Sequence, residues 1–164
     1  MSHVMNTYAR LPVTFSHGHG SRITDTGGKE YLDALSGIAV STLGHAHPRL
    51  VLAIAAQAGR LLHTSNLYHI REQEQLSDKL AELSGMQEVF FCNSGAEANE
   101  NLLGLARRKT GRTTIVTMLG GWHGRTAATL ACTDGARYEA GARRAGVPLS
   151  RKVPFNDLAA LEAA

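Results

Sequence analysis

An α/β fold is what the sequence predicts, because short apolar runs alternate with longer amphipathic segments. An apolar run at 88–93 and a β-branched run at 113–118 flank a segment with helical character. The order strand, helix, strand predicts parallel pairing with a right-handed crossover. Of the 164 residues, 43% are hydrophobic and 19% are charged, which excludes a disordered chain and leaves enough apolar side chains for a core.

Two regions are predicted along the chain. Residues 1–47 form an N-terminal segment with a β-hairpin, and residues 48–164 form the first, incomplete part of a larger α/β domain. Two short β-like runs flank the turn residues at 25–28, Asp-Thr-Gly-Gly, which is the pattern of a hairpin.

Two amphipathic helices are predicted before residue 88. The first begins at Pro48, which suits the first turn of a helix, and its apolar residues recur at helical spacing: Leu50, Ile54, Ala58 and Leu61. The second stops at Gly85 and carries its apolar residues on one face: Leu76, Leu80 and Leu83.

A third helix is predicted to follow the strand at 88–93. Ser94 and Glu97 have the spacing of a capping box at its start, and Gly111 marks its end. The strand at 113–118 comes directly after this helix.

The last part of the chain is predicted to be helical in two places. A helix restarts near Arg125, after Gly120 and Gly121 end the preceding strand. Asn156 and Asp157 resemble an N-cap and first turn, and the sequence stops seven residues later. A helix that has barely begun predicts a truncated chain.

Charge and composition exclude several classes of function. Lysine and arginine total 17 against 14 acidic residues, and so small an excess predicts no nucleic-acid partner. Four basic residues cluster at a predicted helix end: Arg107, Arg108, Lys109 and Arg112. Cations there complement the helix dipole, and a binding patch for anionic ligands is the alternative interpretation. No apolar run approaches the about 20 residues of a membrane span, and no charged N-region leads into an apolar stretch, so neither a membrane nor secretion is predicted.

Cysteine and histidine usage predicts a reducing cytoplasm and no metal. Cys92 and Cys132 are too few for a disulfide scaffold, and their apolar or small neighbours predict buried free thiols. Eight histidines include close pairs at 17–19 and 45–47, but loop histidines without further ligands rarely hold a metal ion.

One segment with candidate chemistry is the strand-to-helix junction at 93–97. The first N–H groups of a helix have no partners within it, so a phosphate could bind there, with Gly95 allowing close approach. Ser94 could add a hydroxyl. Simple capping of a structural helix explains the same residues, and the pattern alone favours capping.

Two further segments carry polar and aromatic side chains. In the glycine-rich stretch 120–126, Trp122 offers a ring face and Arg125 a planar fork for a carboxylate. A core tryptophan and a surface arginine explain that stretch equally well. The loop at 63–68 could line a pocket or a subunit contact, but it could also only cap the helices that it joins.

Four segments taken together, in this order, resemble the class III aminotransferases: YLDALSGIAVSTLGHAHP, LLHTSNLY, FFCNSGAEANE and GGWHGRT. These enzymes use pyridoxal 5′-phosphate (PLP) and have the aspartate aminotransferase fold, fold type I, in which helices flank a parallel-rich sheet. The branch that looks most similar is the acetylornithine/succinylornithine aminotransferases of arginine biosynthesis, which transfer an amino group from N-acetylornithine to 2-oxoglutarate. Ornithine and 4-aminobutyrate aminotransferases share many of the motifs. The resemblance extends from Thr7 to Ala164, less than half of a typical member.

The resemblance implies a cofactor site. Ser94, Gly95 and Ala96 match the loop that holds the PLP phosphate, mainly through the backbone of Gly95 and Ala96. Trp122 stands where the family usually has phenylalanine packed on the pyridine ring, and the larger indole departs from that pattern.

The resemblance also implies a substrate site and partners. Arg125 matches the arginine that receives a substrate carboxylate, and Asn66 and Tyr68 lie in a segment near the pocket and the dimer interface. The implied substrates are amino acids and 2-oxo acids, and the implied full-length protein is a cytoplasmic homodimer.

Two residues that the family needs have no match in this sequence. They are the lysine that forms a Schiff base with PLP and the acidic residue that pairs with the pyridine nitrogen. None of the four lysines lies in a matching context: Lys29, Lys79, Lys109 and Lys152. The resemblance therefore implies an N-terminal aminotransferase fragment that has no catalytic residue of its own and is inactive alone. A non-catalytic remnant that binds a partner and a small phosphate-binding module are the alternatives.

Overall fold

The computed structural model describes residues 3–164. The chain divides into two compact units, Met1–Ile70 and Arg71–Ala164. The boundary predicted after residue 47 concerns the larger domain of a longer protein and stays a prediction, whereas in this chain the helix at Pro48–Ala58 belongs to the first unit.

The first unit contains a three-stranded antiparallel sheet of β1 (Phe15–His19), β2 (Arg22–Asp25) and β3 (Glu30–Leu32), in that order. Its β2–β3 pair confirms the predicted hairpin. Asp25 shapes the turn, because its Oδ1 accepts the N–H groups of Gly27 and Lys29, both at 2.9 Å. The pKa of Asp25 lies below its usual range because hydrogen bonds from Lys29, Tyr31 and Gly27 outweigh desolvation.

The rest of the first unit holds a short turn and one longer helix. The turn α1 (Ser36–Ala39) has positive φ at all four residues, a left-handed conformation that only Gly37 adopts without steric cost. Helix α2 (Pro48–Ala58) confirms the predicted helix and its proline start, although Leu61 lies beyond its end. None of its residues is buried.

The second unit begins with two helices that confirm the sequence prediction. Helix α3 (Arg71–Ser84) ends before Gly85, whose φ is +72°. Helix α4 (Gly95–Thr110) is capped by Ser94, and Gly111 ends it in the left-handed conformation. Three of the four basic residues predicted near its end, Arg107, Arg108 and Lys109, lie in its last turn, beside the negative pole of the helix dipole, whereas Arg112 follows Gly111.

The strand predicted at 88–93 is wrong. Residues 88–92 carry no regular secondary structure, Phe90 is 63% exposed, and Cys92 is exposed rather than buried. A strand needs a neighbour for its N–H and C=O groups, and within residues 3–164 no strand lies beside this segment. The parallel pair predicted between it and the strand at 113–118 is wrong for the same reason.

The parallel pair that does form joins β4 (Val116–Met118) to β5 (Arg151–Val153). Helices α5 (Ala127–Cys132) and α6 (Ala136–Arg144) connect the two strands, which is the α/β arrangement that the sequence predicts. The core of this unit lies under these helices: Ala131, Cys132, Ala142 and Val153 are buried. Cys132 is thus the buried free thiol that was predicted, and burial raises its pKa.

The chain closes with helix α7 (Leu158–Glu162), which confirms the predicted helix. Its N-cap is Asp157, one residue later than predicted, because Asp157 Oδ1 accepts the N–H of Ala160 at 2.9 Å. Within residues 3–164, no helix combines the length and the apolar character that crossing a membrane requires.

Candidate functional site

The start of α4 and the loop before α5 line one pocket of about 470 Å³ in the second unit. This pocket brings together four of the predicted site residues, Gly95, Ala96, Trp122 and Arg125. The first two come from the start of α4, and the other two come from the segment 120–126, called here the Trp122 loop. Two separate sequence motifs therefore meet at a single concave surface.

The first turn of α4 presents two backbone donors to this pocket. The N–H groups of Gly95 and Ala96 donate to no acceptor within residues 3–164, as expected for the first two positions of a helix. A Cβ added to Gly95 would meet no atom within 4 Å, so there is open space at this position. The 16-residue helix adds the positive end of its dipole. Free donors, open space and the dipole suit a bound phosphate.

The side chain of Ser94 is already engaged in capping α4. Its Oγ accepts the N–H of Glu97 at 3.2 Å and donates to Glu97 Oε2 at 3.1 Å. Glu97 Oε2 also accepts the N–H of Asn93 at 2.9 Å. The predicted capping-box pair is therefore present, and a contact of the Ser94 hydroxyl with a phosphate stays a prediction.

Trp122 lies on the surface of the pocket, because 57% of the residue is exposed. Its ring meets Tyr138 edge-on at 5.3 Å between centroids, so a neighbour in α6 fixes the ring edge. The guanidinium carbon of Arg125 lies 5.6 Å from the Trp122 ring centroid, within cation–π range. The alternative of a core tryptophan is therefore not observed, and a flat ligand could reach the indole.

The other two predicted site residues, Asn66 and Tyr68, belong to the first unit, and both are exposed. Their loop is held by Ser65, which has a φ of +75° and whose Oγ and carbonyl accept the N–H groups of Leu67 at 3.4 Å and Tyr68 at 3.3 Å. These contacts are those of a polar turn. Roles for Asn66 and Tyr68 in binding substrate stay predictions.

Three residues that shape the site were missed by sequence reasoning. Asn99 and Glu100 reach from α4 to the Trp122 loop and to the start of α5. Thr133 Oγ1 accepts the N–H groups of His123 at 3.0 Å and Gly124 at 3.2 Å. The only sequence signal for the first two was a polar Asn-Glu pair one turn inside α4.

No lysine within residues 3–164 lines the pocket. Lys152 is largely buried and forms an ion pair with Glu139 at 2.6 Å. Lys79 pairs with Glu82 at 2.8 Å, and Lys29 lies 4.9 Å from the Tyr31 ring. The pocket thus has features that suit an anion and a flat ring, and no lysine amine of residues 3–164 lines it.

Comparison with known proteins gives one family. The sequence-family model described as aminotransferase class-III matches residues 4–163. The chain is 55% identical to acetylornithine aminotransferase 1 of Bordetella parapertussis, over 99% of this chain and 42% of that protein. It is 52% identical to acetylornithine aminotransferase of Nitrosomonas europaea, over 98% of this chain and 42% of that protein. The chain therefore spans about two-fifths of the length of these relatives.

Solved structures give the same result. The ornithine aminotransferase of Toxoplasma gondii ME49 superposes with a TM-score of 0.87 at 29% identity, over 98% of this chain and 40% of that one. N-acetylornithine aminotransferase of Stenotrophomonas maltophilia K279a gives 0.74 at 34% identity, over 95% and 39%. Taurine:2-oxoglutarate aminotransferase of Bifidobacterium kashiwanohense, solved with PLP and glutamate, gives 0.81 at 29% identity, over 93% and 35%.

Proposed function

The chain belongs to the class-III aminotransferases, and we propose that it forms the N-terminal part of a PLP-dependent acetylornithine aminotransferase. The proposed reaction converts N-acetylornithine and 2-oxoglutarate into N-acetylglutamate semialdehyde and glutamate, a step of arginine biosynthesis. Relatives at 52–55% identity that cover nearly the whole chain carry that name, which supports this choice among aminotransferases.

The observation that carries the proposal is the meeting of two free N–H donors with an exposed indole and an arginine in one pocket. PLP has a phosphate at one end and a flat pyridine ring at the other. A site for PLP therefore needs N–H donors for the phosphate and an aromatic face for the ring. When bound, PLP supplies the electron sink through which an amino group leaves one substrate and joins another.

The residues of this chain would divide the work of binding. Gly95 and Ala96 hold the phosphate through their N–H groups, and the helix dipole favours its negative charge. Trp122 packs against the ring, and its edge contact with Tyr138 keeps the indole in place. Arg125 binds a substrate carboxylate through its planar guanidinium group. Both proposed substrates carry a carboxylate.

The proposal places the covalently binding lysine and the acidic partner of the pyridine nitrogen in the remaining three-fifths of the relatives' length. No lysine within residues 3–164 lines the pocket, which supports this placement. These 164 residues alone are therefore proposed to bind the cofactor weakly and to have no transaminase activity.

The full-length protein is proposed to be a cytoplasmic homodimer. Two free cysteines suit a reducing compartment. Large apolar side chains exposed on α2 support a further covering surface, supplied by more chain or by a second subunit: Leu50, Leu52 and Ile54.

An ornithine aminotransferase is the second candidate, because solved ornithine aminotransferases share the fold at TM-scores of 0.87 and 0.89. Their identity to this chain is 29%, well below the 52–55% of the acetylornithine relatives. The two candidates differ in whether the donor carries an N-acetyl group, so a comparison of the two donors separates them.

The test joins residues 1–164 to the remaining segment of the Bordetella parapertussis relative, and this product is called the completed protein. Glutamate formation from 2-oxoglutarate is measured with N-acetylornithine and with ornithine, and the unaltered relative serves as the control. We expect the completed protein to prefer N-acetylornithine as the relative does. A folded, PLP-loaded protein that uses neither donor, or that prefers ornithine while the relative does not, contradicts the proposal.

A further inference from the structure

Two adjacent side chains of α4 connect that helix to the Trp122 loop and to the start of α5. Asn99 Nδ2 donates to the carbonyl oxygen of His123 at 2.9 Å, next to the indole. Glu100 Oε1 accepts the N–H of Ala128 at 2.8 Å and that of Thr129 at 3.4 Å, at the start of α5. One residue therefore holds the loop near its middle, and the other holds the helix that follows it.

Between these two anchors, the loop backbone lies directly against the first turn of α4. Gly124 has a φ of +129°, and a Cβ built on it would lie 2.7 Å from Ala96 Cβ and 2.7 Å from Thr129 Oγ1. Only glycine fits such a contact. Because Ala96 also carries one of the free N–H groups, the loop touches the anion-binding end of the helix itself.

The loop is also tied to the two residues that follow α5 by contacts that do not involve α4. Thr133 Oγ1 accepts two loop N–H groups and donates to the carbonyl of Gly124 at 2.9 Å. Asp134 Oδ2 accepts the N–H of Gly120 at 2.7 Å. The loop and α5 thus hold together as one piece, and the hydrogen bonds from Asn99 and Glu100 set where that piece lies on α4.

From this geometry we propose that Asn99 and Glu100 are positioning residues, which hold the Trp122 ring at the correct place relative to the N–H groups of Gly95 and Ala96. The inference rests on the proposed function, because it assumes a ligand that binds both ends of the pocket. A phosphate alone needs only the helix end, whereas a phosphorylated pyridine also needs the indole at the right separation. Loss of either side chain should therefore weaken binding of the phosphorylated pyridine and leave binding of phosphate alone unchanged.

The experiment uses the completed protein without PLP, in which phenylalanine replaces any tryptophan of the joined segment, in four variants. Asn99→Ala and Glu100→Ala each remove one anchor, Glu100→Gln keeps an acceptor oxygen, and Asn101→Ala is the matched control. Asn101 lines a different pocket, beside Phe90, and makes no hydrogen bond to the Trp122 loop. Circular dichroism checks that helix content is equal. If Glu100→Ala does not fold, Asn99→Ala decides, since it leaves the hydrogen bonds within α4 intact.

Two readouts are taken, and one needs no ligand. Trp122 is the only tryptophan of residues 1–164 and therefore of this completed protein, so time-resolved fluorescence anisotropy reports the motion of this ring alone. The second readout is the ratio of affinities for pyridoxine 5′-phosphate and inorganic phosphate, obtained by titration and competition. Pyridoxine 5′-phosphate keeps the ring and the phosphate of PLP but has no aldehyde, so it cannot form a Schiff base with exposed lysines.

We expect Asn99→Ala and Glu100→Ala to increase Trp122 motion and to weaken pyridoxine 5′-phosphate binding by about two- to tenfold, the value of a lost aromatic contact, with phosphate binding unchanged. Glu100→Gln should recover most of that loss, and Asn101→Ala should match the wild type. Equal losses for both ligands, or no change in either readout, overturn the inference. If the wild type binds neither ligand, the proposed function fails, and the anisotropy of the unliganded variants still decides whether the two residues position the ring.

Discussion

Replacing Gly95 with proline tests the phosphate site by removing one donor while keeping the helix. Gly95 is the first residue of α4, where proline is well tolerated because the helix does not use that N–H. The preceding residue must be extended, and Ser94 already has φ −154° and ψ 157°. Nothing lies within 4 Å of an added Cβ, so the chain accommodates the first ring atom.

The magnitudes follow from these contacts. Losing one charge-assisted hydrogen bond of the two costs about 1.5–3 kcal/mol, so Kd should rise roughly 10- to 150-fold. Stability should be unchanged or higher by about 0.4–1 kcal/mol, because proline restricts the unfolded chain at a compatible position. A weaker site in an equally stable protein is an uncommon combination, and it points to the lost donor.

The assay titrates the same completed protein, in which Trp122 is the only tryptophan, with pyridoxine 5′-phosphate. Trp122 fluorescence monitors binding, and thermal unfolding monitors stability. Gly95→Ala is the matched control, because it fills the same space but keeps the N–H. A loss of affinity that both variants share is steric. A further loss of affinity in Gly95→Pro is caused by removal of the N–H donor. If Gly95→Pro binds as tightly as Gly95→Ala, the N–H of residue 95 does not hold the phosphate.

Four further predictions concern activity, assembly and pH. In the completed protein, Arg125→Ala should lower kcat/KM for N-acetylornithine roughly tenfold or more, while the absorbance of bound PLP is unchanged. A variant that loses PLP but has normal kinetics after PLP is added back contradicts this prediction. The 164-residue chain, purified from a host without aminotransferase background, should form no glutamate at saturating PLP. Its exposed apolar side chains should make it self-associate in sedimentation experiments, which a monodisperse monomer with a cooperative melt would disprove. Burial raises the pKa of Glu100, but hydrogen bonds from Thr126, Ala128 and Thr129 place it below the usual 4.5. The stabilisation by Glu100 should therefore be complete above pH 4.5 and lost as pH falls through the lower folded value, and Glu100→Gln should remove this acid dependence in thermal melts.

Helix ends were the features that the sequence predicted best, because their signals are local. Ser94 and Glu97 form the capping pair that their spacing indicates, and Gly111 ends α4 with a φ of +70°. The cap of the last helix, Asp157, lies one residue from the predicted position. Each signal involves residues within one turn of one another. Distant parts of the chain do not alter such hydrogen bonds.

Strands were predicted poorly, because a strand depends on what lies beside it. The apolar segment at 88–93 has the composition of a buried strand but no neighbouring strand within residues 3–164. By contrast, β5 has only three residues, two of them basic, and its sequence carries no β pattern, yet it pairs with β4. The antiparallel strand β1 contains a glycine and two histidines and was missed for the same reason.

The candidate site was predicted in its parts but not in its assembly. Gly95, Ala96, Trp122 and Arg125 were identified from motifs, and the structure places all four in one pocket. Asn99 and Glu100 were missed because their side chains could equally have faced solvent. Their partners are 24 and 28 residues away along the chain, a separation that no local pattern predicts.

A crystal structure of the completed protein with PLP would show directly whether these residues hold the cofactor. We expect phosphate oxygens within hydrogen-bond distance of the N–H groups of Gly95 and Ala96, and the pyridine ring stacked on the indole of Trp122. A phosphate held elsewhere, for example by the basic side chains of the last turn of α4, with Trp122 away from the ring, would contradict it.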